Sequence, residues 1–399
     1  MKMFQQGITF PRGFLAQGVE ANIKKQTKDL AVIYSEVPCQ AAGVFTTNKV
    51  KASCVDYNRR LVESPIRSIV MNSGNANACT GPQGEEDTRQ MAELVAQELK
   101  IRPEEVLVAS TGVIGVTLPM EKVAQGIIKA CSTLSSQGGE HAAAAIMTTD
   151  TFPKMAAVEF PIGSKTVKIG AIAKGSGMIH PNMATMLAFI CTDAAITREC
   201  LQEALQASTD ISYNMISVDG DTSTNDMALV LANGQAQNEM IDDPASEAYM
   251  LFKQALNQVN IRLAQLIARD GEGATRLIEV EVLKASSDQD ARIVARAIVS
   301  SNLFKAAVFG KDANWGRIIC AVGNAGVDID PDQIDIWLGH QQVAQDGNGL
   351  PFDEESAREA LAQDVVKIKV ALGKGSGQAT AWGCDLTYDY VKINASYRS

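Results

Sequence analysis

The sequence predicts a mixed α/β protein, and three observations carry the prediction. Short apolar runs alternate with stretches of helical periodicity along the whole chain. Three of those runs lead directly into loops rich in Gly, Ser, Thr and Asn. A chain of 399 residues, 46% hydrophobic and 21% charged, can bury a large core in two or three domains.

Taken in order, residues 30–34, 68–71 and 106–109 are short β-branched and aliphatic runs expected as buried strands. Residues 85–100 place Met91, Leu94, Val95 and Leu99 on one helical face. Residues 166–173 read as a strand that ends on Lys174, and 244–269 as a long helix stopped by Asp270-Gly271-Glu272-Gly273. Beyond it, 275–283 alternates as a strand and 288–300 is an amphipathic helix. Residues 365–372 and 386–393 are expected as strands again. The change of pattern near 270–275 divides an expected first domain, 1–274, from a second, 275–399.

Composition narrows the function. Thirty-six Lys and Arg against 46 Asp and Glu give a net charge of −10, which argues against a nucleic-acid partner. No apolar run is long enough to span a membrane, and the start lacks the features of a signal or transit peptide. A cytoplasmic setting is expected. The eight cysteines are scattered without a Cys-x-x-Cys pair, and there are three histidines, so buried reduced thiols and no metal site are expected.

The most informative stretch is 174–193. A glycine loop and Pro181 interrupt regular structure, and the apolar run 186–190 follows Thr185 abruptly. Scission of the Ala184–Thr185 bond would leave a threonine whose own α-amine lies beside its hydroxyl. A free α-amine has a pKa near about 8, so it can take the hydroxyl proton. The competing reading of Thr185 is a helix-start residue that caps backbone amides. Lys174-Gly175-Ser176-Gly177 places its lysine ahead of the glycines, unlike a phosphate loop, and the same tetrapeptide recurs at 374–377.

Other loops carry paired readings. Thr111-Gly112 could offer a hydroxyl and an N–H to a developing oxyanion, or form a plain turn. Thr148-Thr149-Asp150-Thr151 reads as a cap after the run 142–147 or as a polar patch. Residues 217–226 have the composition of a calcium loop but lack its closing glutamate, which leaves a structural or pocket-lining turn. Glu272, between two glycines, is either a surface acid or a partner for a substrate amine. Residues 309–317 suggest interdomain packing around a polar network, and the tail 394–399 should fray unless docked.

Together, residues 7–14, 42–48, 72–77, 110–112, 174–193, 217–226, 311–317 and the end at Ser399 closely resemble the ornithine acetyltransferase family, also called glutamate N-acetyltransferases. The resemblance implies an αββα-type sandwich like that of N-terminal-nucleophile enzymes, with a second, smaller α/β domain. It also implies cleavage between Ala184 and Thr185 into chains 1–184 and 185–399, assembled as an α2β2 heterotetramer. By the same resemblance Thr185 is the nucleophile, and Thr111 with Gly112 forms the oxyanion hole. Thr148, Lys174, Thr185, Glu272, Asn394 and Ser399 would bind substrate, with Thr149 and Thr151 near enough to replace Thr148. The implied reaction moves acetyl from N-acetylornithine to glutamate without a cofactor. Acetyl-CoA is left open as a second donor. Many relatives end in threonine, where this chain has Ser399. A self-processed aminopeptidase of related fold is the alternative.

Overall fold

The computed structural model describes residues 1–180, 186–373 and 375–396. The larger sheet is built from β1 (Lys2–Phe4), β2 (Phe14–Val19), β3 (Leu30–Phe45), β4 (Ile66–Asn75), β5 (Val106–Val113), β6 (Lys154–Ile162), β7 (Lys165–Lys174) and β8 (Leu187–Thr192). The short β9 (Ile216–Ser217) belongs to the other sheet, and β10 (Met227–Ala232) completes the first. Its order is β1-β6-β7-β8-β10-β3-β4-β5, with β2 also paired to β3. The 16-residue β3 is long enough to serve both ends, since residues 30–35 pair with β2 and β4 while 40–45 pair with β10. Most pairs are antiparallel; β8–β10 and β4–β5 are parallel.

Alternation along the central strands fills two cores. Ile172, Leu187, Phe189, Leu229 and Leu231 point to one face, which is covered by α1 (Ser53–Leu61), α2 (Gly81–Leu99), α3 (Met120–Ser132) and α4 (Gly139–Ala145). Ala171, Ala173, Ala188, Ile190, Ala228 and Val230 point to the other, against α5 (Arg198–Asp210) and α6 (Glu247–Arg269). Ser246 caps α6 by accepting from the Tyr249 N–H at 3.2 Å, which fixes where this 23-residue helix starts.

The second sheet adds β11 (Leu277–Ala285), β12 (Asp335–Leu338), β13 (Gln341–Gln345), β14 (Asn348–Gly349), β15 (Val365–Ala371) and β16 (Gly377–Cys384). Its order is β14-β13-β12-β15-β11-β16-β9. Ile278, Val280, Val282, Val366, Ile368 and Val370 are buried on one face, where α7 (Asp288–Ser300) packs. On the opposite face Glu279 and Glu281 stand across from Lys367 and Lys369, pairing unlike charges between parallel strands. Helices α8 (Asn302–Gly310), α9 (Trp315–Gly323), α10 (Glu354–Leu361) and α11 (Tyr388–Ser396) complete the chain, and α6 touches strands of both sheets. The mixed α/β class with two sheets is therefore as the sequence indicates.

Three local expectations need correction. Residues 386–393 are not a strand: they fall largely within α11, whose start is marked by the Thr387 hydroxyl accepting from the Tyr390 N–H at 3.4 Å. The strand of that region is β16, just ahead of it. Residues 72–75 and 110–112 are not loops but continue β4 and β5, with irregular register at Gly74 and Asn75. The segment 309–317 is mostly at the surface and holds no buried network; Arg317 reaches the Leu303 carbonyl at 2.6 Å instead. All eight cysteines are free, five of them buried, whereas Cys79 and Cys320 are exposed and Cys131 is intermediate. Among the described residues no single helix is long and apolar enough to cross a membrane.

Candidate active site

A cavity of about 200 Å³ opens where β5, β7, the 217–226 loop, the turn after α6 and helix α11 converge. Thr111, Gly112, Thr148, Thr149, Lys174, Glu272 and Asn394 line it, so residues spread over nearly 300 positions of sequence meet in one place. Ala184, Thr185 and Ser399 lie outside the described residues. The apolar run beyond Thr185 is the strand β8, however, so no helix starts there to be capped.

Local backbone sets each wall. Gly112 has φ +134°, and a Cβ there would come within 2.3 Å of the Gly74 carbonyl carbon and 2.5 Å of the Asn75 nitrogen. Only glycine lets β5 follow β4 this closely at the cavity rim. Asn225, from the 217–226 loop, ties that rim down by donating to the Ala76 carbonyl at 2.6 Å and the Ser110 carbonyl at 2.8 Å. The loop is thus pocket-lining, one of its two expected roles. Asp219 holds the glycine-loop side by accepting from the Met178 N–H at 2.6 Å and the Ile179 N–H at 2.8 Å.

Beneath the cavity is a fully buried charge triad that sequence reasoning missed. Lys154 donates to Asp150 Oδ1 and to Asp270 Oδ2, each at 2.6 Å. Asp150 also accepts from the Gly175 N–H at 2.7 Å and the Thr148 N–H at 2.9 Å. Asp270 accepts from the Thr151 N–H at 3.0 Å and from its hydroxyl, while its carbonyl takes the Ser176 hydroxyl at 2.6 Å. The Glu272 N–H then donates to the Ser176 carbonyl at 3.0 Å. Three loops carrying Thr148, Lys174 and Glu272 are therefore fastened to one ammonium group. Its only sequence trace is the spacing of four between Asp150 and Lys154, at a residue that otherwise reads as the solvent-facing start of a strand.

The charged groups of the cavity are shifted in different directions by their surroundings. Burial would push the Asp150 carboxyl up, but the Lys154 and Lys174 charges and the Gly175 N–H overcome it and hold the group well below the usual carboxylate range. Asp226, buried on the cavity wall, goes the other way: burial raises it well above the ordinary value, and Lys174 and Ser223 offset this only in part. Asp219 is likewise raised by burial. Glu272 accepts from the Asn394 amide at 2.7 Å, and Tyr390 of α11 stands among Asp219, Asp221 and Glu272. Gly273 allows that approach, since a Cβ on it would come within 2.6 Å of the Tyr390 nitrogen. Tyr390 left no signal in the sequence, because its segment alternates like a strand.

Among the described residues one cation, a small acidic cluster and a rim of hydroxyl and N–H donors make a site for a small molecule carrying both charges. Among the described residues no group of three His, Cys, Asp or Glu side chains could hold a metal ion. Fold and cavity thus define a mixed α/β protein with a small-zwitterion site at the edge of its larger sheet. The chain belongs to the ArgJ family, whose profile matches residues 15–399. It is 57% identical to the arginine biosynthesis bifunctional protein ArgJ of Symbiobacterium thermophilum over 403 residues, covering 100% of both chains. It is 58% identical to ArgJ 1 of Clostridium acetobutylicum over 400 residues, 99% of this chain and 98% of that one. A crystal structure of the Bacillus halodurans ArgJ protein matches with a TM-score of 0.52 and 51% identity, covering 53% of this chain and all of that one.

Proposed function

We infer that the protein is a glutamate N-acetyltransferase, which moves the acetyl group of N2-acetyl-L-ornithine to L-glutamate in arginine biosynthesis. The observation that carries this reading is the meeting of Lys174, Glu272 and the Thr111–Gly112 rim in one cavity sized for an amino acid. Family membership over 15–399 and full-length relatives named as arginine biosynthesis proteins support it. The aminopeptidase alternative is not favoured by those relatives.

In the mechanism proposed, the chain first cuts itself between Ala184 and Thr185. The Thr185 hydroxyl attacks the Ala184 carbonyl, the amide becomes an ester, and water hydrolyses it to give chains 1–184 and 185–399. The freed α-amine of Thr185 then takes the proton of its own hydroxyl as the oxygen attacks the acetyl carbonyl. The Thr111 hydroxyl and Gly112 N–H face the developing oxyanion, a donor worth roughly 3 kcal/mol each in such sites. Ornithine leaves with the proton, and glutamate reverses the sequence from the acetyl-threonine ester. Lys174 pairs with the substrate carboxylate and Glu272, held by Asn394, with an amine; Thr148 and Ser399 complete the contacts. Acetyl-CoA stays open as a second donor, decided by initial rates of the purified protein with glutamate and acetyl-CoA, and the working form proposed is a cytoplasmic α2β2 heterotetramer with domains 1–274 and 275–399.

The test follows labelled acetyl from N-acetylornithine. Transfer to glutamate supports the reading, whereas release as free acetate with glutamate present would make the protein a hydrolase. Thr185→Ala is expected to run as one uncut band on a denaturing gel and to transfer no acetyl. A cut or active Thr185→Ala protein removes Thr185 from both steps.

A further inference from the structure

A second recess, of about 710 Å³, lies on the other side of the 217–223 segment from the acetyl-transfer cavity: Thr222 lines the recess, while Asp221 and Ser223 line the cavity. Its wall is the face of α7 that carries Arg292 and Arg296, four residues and one helical turn apart. Neither guanidinium has a carboxylate partner among the described residues. Arg296 donates to the Nε2 of His180 at 3.0 Å, and its Nε is buried with no acceptor among the described residues. Because a guanidinium has only donors, that contact makes His180 Nε2 an acceptor and the ring neutral, so it brings no compensating negative charge. Among the described residues the one acid on the wall is Asp210, which already accepts from the Asn214 amide at 2.9 Å.

Two uncompensated guanidiniums in a concave site of a protein with net charge −10 require an explanation. A buried Nε–H without a partner costs free energy that an anionic ligand would recover. The recess is far larger than an inorganic anion and falls in the range, about 300–1,000 Å³, of sites for organic ligands. Met215, Ile293 and Ala325 give it an apolar side, and Ile293 is 36% exposed there. Two guanidinium forks also offer more donors than one carboxylate can use, whereas a phosphate has three acceptor oxygens.

We propose that this recess is a second binding site, which takes a phosphate ester with its phosphate between Arg292 and Arg296 and its organic part against Met215 and Ile293. The site is separate from the acetyl-transfer cavity, so its existence does not depend on the reaction assigned there. Calorimetric titration of the purified wild-type protein at low salt tests it, with ADP, inorganic pyrophosphate and adenosine as probes. ADP is expected to bind and adenosine not to bind. Arg292→Glu and Arg296→Gln should each weaken ADP on the order of tenfold or more. Arg292 sits on a half-exposed helix face, so its substitution leaves the fold intact, and acetyl transfer without added ligand should be unchanged in Arg292→Glu. Binding of pyrophosphate without ADP would keep the anion site and identify free polyphosphate as its occupant. Equal binding by wild type and Arg292→Glu, binding of adenosine as tight as ADP, or no binding of any phosphate probe overturns the proposal.

Discussion

At the scale of single residues the cavity depends on glycines as much as on charges. Gly112 allows β5 to crowd the Gly74–Asn75 backbone, and Gly177 makes room for the Glu272 carboxylate. A Cβ on Gly177 would come within 2.4 Å of that carboxylate, closer than any real contact, so one of the two groups must move. The side chain of Glu272 is the softer partner, and moving it breaks its bond to Asn394. Gly177→Ala should therefore raise the KM for the amino substrate on the order of tenfold, the value of one charge-assisted hydrogen bond, with little change in Tm. Initial rates against N-acetylornithine and glutamate check this; an unchanged KM would show that Glu272 has no part in holding the amine. Glu272 was readable as a candidate because it lies between two glycines, whereas Lys174 enters as a substrate residue through the family resemblance. Tyr390 was not readable, since neither its type nor its spacing separates it from ordinary strand and surface residues, whereas Asp226 falls in the 217–226 stretch read as a structural or pocket-lining turn.

Among elements, the Lys154 triad is what turns separate loops into one site. It joins the turn after α4, the start of β6, the end of β7 and the end of α6. A buried ion pair adds little over apolar packing, but removal of one partner leaves the others charged and out of water. Lys154→Met should cost about 3–5 kcal/mol in denaturant unfolding, and should raise KM for both substrates as Thr148, Lys174 and Glu272 lose their common anchor. Replacing Asp150 and Asp270 by Asn in the same protein removes the stranded charges and should recover much of the stability. If it recovers none, packing and not charge sets the loss. The sequence made the helices and central strands legible, since α7 occupies 288–300 as its periodicity indicates. It failed at α11, where residues 386–390 alternate in type although the chain from Tyr388 on is a helix that a threonine starts. The triad itself could not be read, because one of its contacts spans 116 residues and a buried lysine is rare enough to be discounted.

In the molecule as a whole, His180 joins parts that belong to different layers. Its Nδ1 donates to the Ser217 hydroxyl of β9 at 3.0 Å, its Nε2 accepts from Arg296 of α7, and its carbonyl accepts from Thr222 at 3.0 Å. It therefore connects the segment that leads toward Thr185 with the second sheet and its helix. Burial and then the neighbouring Arg296 charge push the imidazole down to about 4, with Asp221 opposing in part. An unfolded histidine titrates near about 6.5, so between these values the unfolded chain binds the proton and the folded one does not. Stability must then fall as the pH drops from roughly 6.5 toward 4, and the contribution is fully present above that window. Protonation would also turn Nε2 into a donor facing the Arg296 guanidinium, so the contact itself is lost. His180→Gln keeps hydrogen-bonding capacity but cannot titrate, and its Tm should fall less than that of the wild type between pH 7 and pH 4.5. Parallel thermal melts across that range decide the matter: identical slopes for the two proteins would mean that His180 is not what couples the two sheets to pH.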